Sequence, residues 1–178
     1  MALQTAIQIL VLFQNAIEEG DIHKARAIGQ RLVEFNQARP EAYRIIGNGF
    51  RQSRFFDEGE HFLKLGCDRF PDNAILAADY ARAALEHNDY EISMLRWISM
   101  ISRFPDDVSA YVGAAMTMRL SGNLPGAMHF VERAIVLFPN DLKPQIERAR
   151  LASARGEFQN AILRWKALRT VSHHHPMG

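Results

Sequence analysis

Arginine is the residue type best placed to do chemistry in this chain. Arg44, Arg51, Arg82, Arg119 and Arg150 stand out in a sequence whose net charge is only +1, from 21 basic and 20 acidic residues. A guanidinium is a planar fork of donors, suited to gripping a carboxylate through two bonds. That is the chemistry of recognition, not of bond making. Two readings stand. Either the arginines receive an extended acidic peptide with some apolar side chains, or they form a solvated face paired with Glu41, Asp79, Glu86 and Glu147.

Catalytic patterns are missing. Of the seven histidines, His23, His61, His87 and His129 fall on different segments with no ligand pair at helical spacing. His173, His174 and His175 read as a polar tail. No Gly-rich phosphate loop, nucleophile elbow or metalloprotease helix occurs. The single cysteine, Cys67, rules out an internal disulfide framework and any multi-cysteine zinc site. The sequence therefore predicts a non-enzyme with no catalytic residue, no metal and no cofactor. Near-neutral charge gives no support to nucleic-acid or membrane-surface binding, and a helical RNA binder would need a continuous basic track. The longest strongly apolar run, Ile9-Leu10-Val11-Leu12-Phe13, is far short of a membrane span. The N-terminus has no secretory pattern, and a cytoplasmic location is expected.

The elements that must position the arginines repeat. Phe70-Pro71-Asp72-Asn73 returns as Phe104-Pro105-Asp106-Asp107 and as Phe138-Pro139-Asn140-Asp141, a step of 34 residues each time. Gly20, Arg54, Asn88, Gly122 and Gly156 keep the same step, as do Ala25, Gly59, Ser93, Ala127 and Ala161. A fixed period of this length signals stacked repeats instead of one compact core. The repeats are read as 6–39, 40–73, 74–107, 108–141 and 142–175, in a single array over 1–178. Each holds two helices, the first running from about Ala6 to Glu19. Ile9, Leu12, Phe13 and Ala16 give its inner face, and Ile22, Ala25, Ile28, Leu32 and Phe35 that of its partner. Asp21, Asp72 or Asn73, and Asn123 are candidate N-caps, and Pro40 suits a first helical turn. Tyr43, Ile46, Gly47 and Phe50 face Phe56, Gly59, Leu63 and Gly66 in the second repeat. Such glycines cost about 1 kcal/mol each in a lone helix and make sense where helices cross closely. The later repeats use Ala77, Tyr80, Ala81 and Ala84 with Tyr90, Ser93, Trp97 and Met100; then Tyr111, Ala114, Ala115 and Met118 with Leu124, Ala127, Val131 and Ala134. The last uses Ala149 and Ala152 with Phe158, Ala161, Trp165 and Leu168. No stretch alternates long enough to predict a strand.

This pattern resembles the tetratricopeptide repeat, W-x2-L-G-x2-Y, then A-x3-F, then P. The second repeat matches as Tyr43-x2-Ile46-Gly47-x2-Phe50, Gly59-x3-Leu63 and Pro71. The others match more loosely, through Tyr80-Ala81, Ser93-x3-Trp97 and Pro105; Tyr111, Ala114-Ala115, Ala127-x3-Val131 and Pro139; and Ala161-x3-Trp165. Departures are Ala77 and Gln145 at the first aromatic, Gly29 at the later one, and Gln37 and His173 at the proline. The resemblance spans residues 6–175 and implies an all-α, right-handed α-solenoid of antiparallel helix pairs. It also implies a concave groove lined by first helices. Residues outside the packing columns then line it, including Leu10, Gln14 and Ile17, Ala78 and Leu85, and Val112, Ile146 and Ser153. The peptide-binding candidates among them are Arg44, Asn48, Arg51, Arg82, Met116, Arg119 and Arg150. One subclass of the family clamps a C-terminal carboxylate with Lys and Asn. Arg44 and Asn48 partly resemble its first pair, but Asp79, Ser109 and Gly113 stand where it needs Asn and two basic residues, so that clamp is not predicted.

Pro176 lies four periods after Pro40, so Pro176-Met177-Gly178 reads as the opening of a sixth repeat in a longer protein. Phe158, Ile162, Trp165 and Leu168 should then partly face an open end, and self-association through it is expected. The functional expectation is a protein-interaction scaffold or adaptor that binds a protein or peptide in the groove. The alternative is a repeat region of a larger bacterial enzyme, such as a glycosyltransferase or sulfotransferase.

Overall fold

The computed structural model describes residues 2–35 and 39–173, with side chains from 8 to 170 within those spans. The expectations for Gln37, for His174 and His175, and for the sixth repeat at Pro176-Met177-Gly178 lie outside the described residues, as does the side chain of His173. Ten helices and no strand occur among the described residues: α1 (Ala2–Glu18), α2 (Ile22–Phe35), α3 (Pro40–Gln52), α4 (Phe56–Arg69), α5 (Ala74–Glu86), α6 (Tyr90–Arg103), α7 (Val108–Leu120), α8 (Leu124–Leu137), α9 (Leu142–Ala154) and α10 (Phe158–His173). From α3 onward, helices of each kind start 34 residues apart, at Pro40, Ala74, Val108 and Leu142, and at Phe56, Tyr90, Leu124 and Phe158. The first helix begins four residues before the expected Ala6.

The repeat period is enforced by the joints. All five residues of the Gly20 column adopt the left-handed conformation: Gly20, Arg54, Asn88, Gly122 and Gly156, at φ of 73°, 66°, 60°, 85° and 74°. That conformation reverses the chain within a tight turn, and glycine enters it without a Cβ penalty. Beyond the turns, Asn73, Asp89, Asp107, Asn123 and Asp141 cap the next helices through their side chains. Asp21 Oδ1 likewise accepts from Lys24 N at 2.9 Å. Phe70, Phe104 and Phe138 close α4, α6 and α8, each donating its N–H to the carbonyl four residues back.

The chain forms two compact units, Met1–Asn88 and Asp89–Gly178. In the first, α1 packs on α2 and α3, α3 on α4, and α5 on both α3 and α4. Its core gathers Phe13, Ile46, Phe50, Phe62, Leu63 and Leu76. Phe50 and Phe62 stack at 5.6 Å, although the sequence columns had not assigned Phe62 to the core. The expected close crossing is present. A Cβ on Gly59 would lie 2.7 Å from Gly47 O, and one on Gly47 would lie 2.6 Å from Leu63 Cγ.

In the second unit, α6 packs on α7, α7 on α8 and α9, and α9 on α8 and α10. The core combines small residues, among them Ala114, Ala115, Ala134 and Ala149, with larger ones such as Met100, Tyr111 and Leu151, and Trp97 is its largest fully buried side chain. Its ring occupies the space a Gly113 side chain would take. Ser93 and Thr117 share a buried hydrogen bond of 3.1 Å beside it. Two residues expected inside are exposed: Leu12 at 51% and Phe35 at 48%. Ile46, one period after Leu12, is covered by α2, but no outer helix precedes α1 among the described residues. Phe158 and Trp165 on α10 are also open, as expected for that helix.

Candidate functional site

All seven binding candidates sit on the first helices of their pairs, α3, α5, α7 and α9. Their chemistry is organised by buried acids. In the first unit the Asp79 side chain on α5 is only 8% exposed. It accepts three bonds: from Arg44 Nε at 3.0 Å, from Asn48 Nδ2 at 3.1 Å, and from Arg82 Nη1 at 2.7 Å. Arg51 extends the network. Its Nη1 donates to Asn48 Oδ1 at 2.6 Å, and its Nε donates to Glu86 Oε2 at 2.8 Å. Nη2 completes a bidentate grip on Glu86. Arg51 is buried where the sequence placed it on an open groove. The reason is Gly59, whose missing side chain leaves the space that the Arg51 stem fills, 2.5 Å from where a Cβ would stand.

The second unit repeats the device on α9. Glu147 is 1% exposed and accepts from Arg119 Nε at 2.6 Å and from Arg150 Nη1 at 3.4 Å. Arg119 is mostly covered, whereas the Arg150 side chain is 51% exposed. Met116 is half-buried on α7. The structure thus gathers Arg44, Asn48, Arg51 and Arg82 into one network and Arg119 with Arg150 into another. Each arginine already meets a carboxylate, so the site carries its own anions. Asp79, which broke the carboxylate-clamp pattern in the sequence, is the acid that occupies Arg44 and Asn48.

Beside the first network lies a cleft of about 410 Å³ between α1 and α3. Leu10, Phe13 and Ile45 make it apolar, and Gln14, Arg44 and Asn48 give it polar edges. Ile45 was missed in the sequence because it belongs to neither the packing columns nor the arginine set; it is 45% exposed. A larger cleft of about 570 Å³ opens between α2, α3 and α4, around Val33, Tyr43, Leu65 and Asp68. It contains none of the binding candidates. Among the described residues no three His, Cys, Asp or Glu side chains gather as a metal would require, and no helix is long and apolar enough to cross a membrane.

No protein-family model matches the chain, and no curated protein sequence matches it. Solved structures do. MamA from Desulfovibrio magneticus RS-1 superposes with a TM-score of 0.64 at 12% identity, over 94% of this chain and 95% of that one. A tetratricopeptide repeat protein from Parabacteroides merdae gives 0.64 at 13% identity, over 96% and 68%. PilF from Pseudomonas aeruginosa gives 0.63 at 14% identity, over 93% and 75%. The fold is that of the tetratricopeptide-repeat solenoid.

Proposed function

We propose that this chain is a non-catalytic, cytoplasmic scaffold that binds a peptide or protein partner along its inner helices. The observation that carries the reading is the α1–α3 cleft, whose apolar floor and polar edge lie within a size suited to a side-chain anchor. An apolar partner residue would seat against Leu10 and Ile45. A partner carboxylate would then meet the half-exposed guanidinium of Arg82 in the same unit. The carboxylates already present make this an exchange or sharing of bonds, so affinity would come mainly from the apolar anchor. The test is fluorescence polarisation with a library of labelled peptides that pair an apolar residue with nearby acids. Ile45→Glu and Arg82→Gln should each weaken the best binder about tenfold, worth about 1.4 kcal/mol. Added salt should weaken it further. Binding that survives both substitutions would refute the assignment. Arg119→Glu is a poor probe, because it sets a second carboxylate against buried Glu147.

The scaffold reading includes self-association through α10. Trp165 is two periods after Trp97, which α7 buries, yet Trp165 is 39% exposed beside Phe158 and Ile162. Exposed apolar clusters of this kind mark contact surfaces. Sedimentation of the 178-residue chain should show concentration-dependent association that Trp165→Glu abolishes; a monomer at all concentrations refutes it.

A further inference from the structure

The last helix pair holds an anomaly independent of the cleft. Ile46 and Phe62 meet in the first unit, both buried, over the space beside Gly29: a Cβ there would lie 3.0 Å from Ile46 Cγ2 and 3.2 Å from Phe62 Cζ. The same positions in the α7–α8 pair are Ala114, fully buried, and Phe130, half-buried. In the α9–α10 pair they are Arg148 and Arg164. An apolar contact has been replaced by two cations, each half-buried.

Their charges are not neutralised in place. The Nε of Arg148 is buried with no hydrogen-bond partner. Arg164 has its pKa pushed below the ordinary arginine value, first by burial and then by the charge of Arg148; Glu157 offsets this in part. Glu157 is itself engaged by Arg155, at 3.0 Å. Arginine does not relieve such strain by losing its proton. A buried donor without a partner is costly, and so is a like-charge pair drawn out of water.

We propose that Arg148 and Arg164 form an anion-binding site between α9 and α10 that takes a doubly charged tetrahedral oxyanion, a phosphate or sulfate group. Two guanidinium forks near enough for one to feel the other's charge match its charge and its several acceptor oxygens, and one oxygen would accept from Arg148 Nε. A monocarboxylate would leave one charge uncompensated. A free ion and a phosphorylated side chain share this chemistry.

The test is thermal melting of the full 178-residue chain with sodium phosphate, sulfate, acetate or chloride at one ionic strength. Phosphate or sulfate should raise the melting temperature by about 3 °C over chloride at concentrations well above Kd. Acetate should match chloride. The paired variant Arg148→Ala with Arg164→Phe copies Ala114 and Phe130, so it keeps a packed core. It should melt higher than the parent in chloride and lose the phosphate response. Repeating the titration with a phosphoserine peptide distinguishes the sources: a larger shift than inorganic phosphate assigns the group to a macromolecule, and a smaller one to a free ion. An equal shift in all four salts, or an undiminished phosphate shift in the paired variant, overturns the proposal.

Discussion

Gly113→Ala tests the packing of the second unit. A methyl at Gly113 would stand 2.5 Å from Trp97 Cζ2 and 2.7 Å from Cδ2, with Cε2 also in collision. Carbon atoms ordinarily rest about 3.5–4.0 Å apart, so the ring would have to move by about 1 Å. Trp97 is 0% exposed and has no free side to move toward. Two effects oppose each other. Alanine gains about 1 kcal/mol in helix propensity over glycine. Overpacking a full core costs about 1–3 kcal/mol, and a collision with three atoms of a rigid ring belongs at the upper end. The net expectation is a loss of about 1–2 kcal/mol, read from urea unfolding followed by far-ultraviolet circular dichroism. Trp97→Leu alone should cost about 2–4 kcal/mol through the cavity it leaves. In the Gly113→Ala background it should cost at least about 1 kcal/mol less, because the added methyl fills part of that cavity. A Gly113→Ala protein as stable as the parent, with no coupling to Trp97, would refute this account of the α6–α7 contact.

The left-handed column offers a cleaner contrast, since a Cβ at Gly122 meets nothing within 4 Å and only the backbone matters. Gly122→Ala should lower stability by about 1 kcal/mol, while Arg54→Gly should leave stability unchanged or raise it by a few tenths in the same urea assay. Glu147→Leu leaves the buried Arg119 head without its acid and should cost about 3 kcal/mol or more, whereas Arg150→Ala, at a half-exposed position, should cost under about 1 kcal/mol. Asp89→Ala removes the side-chain cap of α6 and should cost about 1 kcal/mol, read in the same urea assay.

Much of the fold was legible because its period is written in residues with strong local preferences. The Gly20 column marked the turns, and its shared left-handed backbone is the physical cause of the shared spacing. Asp21, the Asp72-Asn73 pair and Asn123 were readable as caps because a short acceptor just before an apolar run has few other uses, and of the pair it is Asn73 that caps α5. The site was less legible. Spacing put Arg51 on an open face, but a long side chain can turn inward where Gly59 leaves room, and no periodicity encodes that choice. Asp79 and Glu147 were named as neighbours of the arginines; that they are the buried centres of the networks depends on what α3 and α7 bring across. Phe62 was missed because its column holds arginine in other repeats. Leu12 was misplaced because burial of its column depends on a preceding helix.

The two buried carboxylates have a consequence for the lengthwise alignment of the first helices within each unit, α3 with α5 and α7 with α9. Those helices carry small, similar, buried side chains, such as Ala81 and Ala84 on α5 and Ala114 and Ala115 on α7. A surface of alanines is nearly the same after sliding by one helical turn of about 5.4 Å, so apolar packing alone separates neighbouring alignments only weakly. A guanidinium–carboxylate bond is lost on the same slide. Asp79 bound to Arg44, and Glu147 bound to Arg119, therefore act as index pins: they add little net stability and leave a single alignment in each unit.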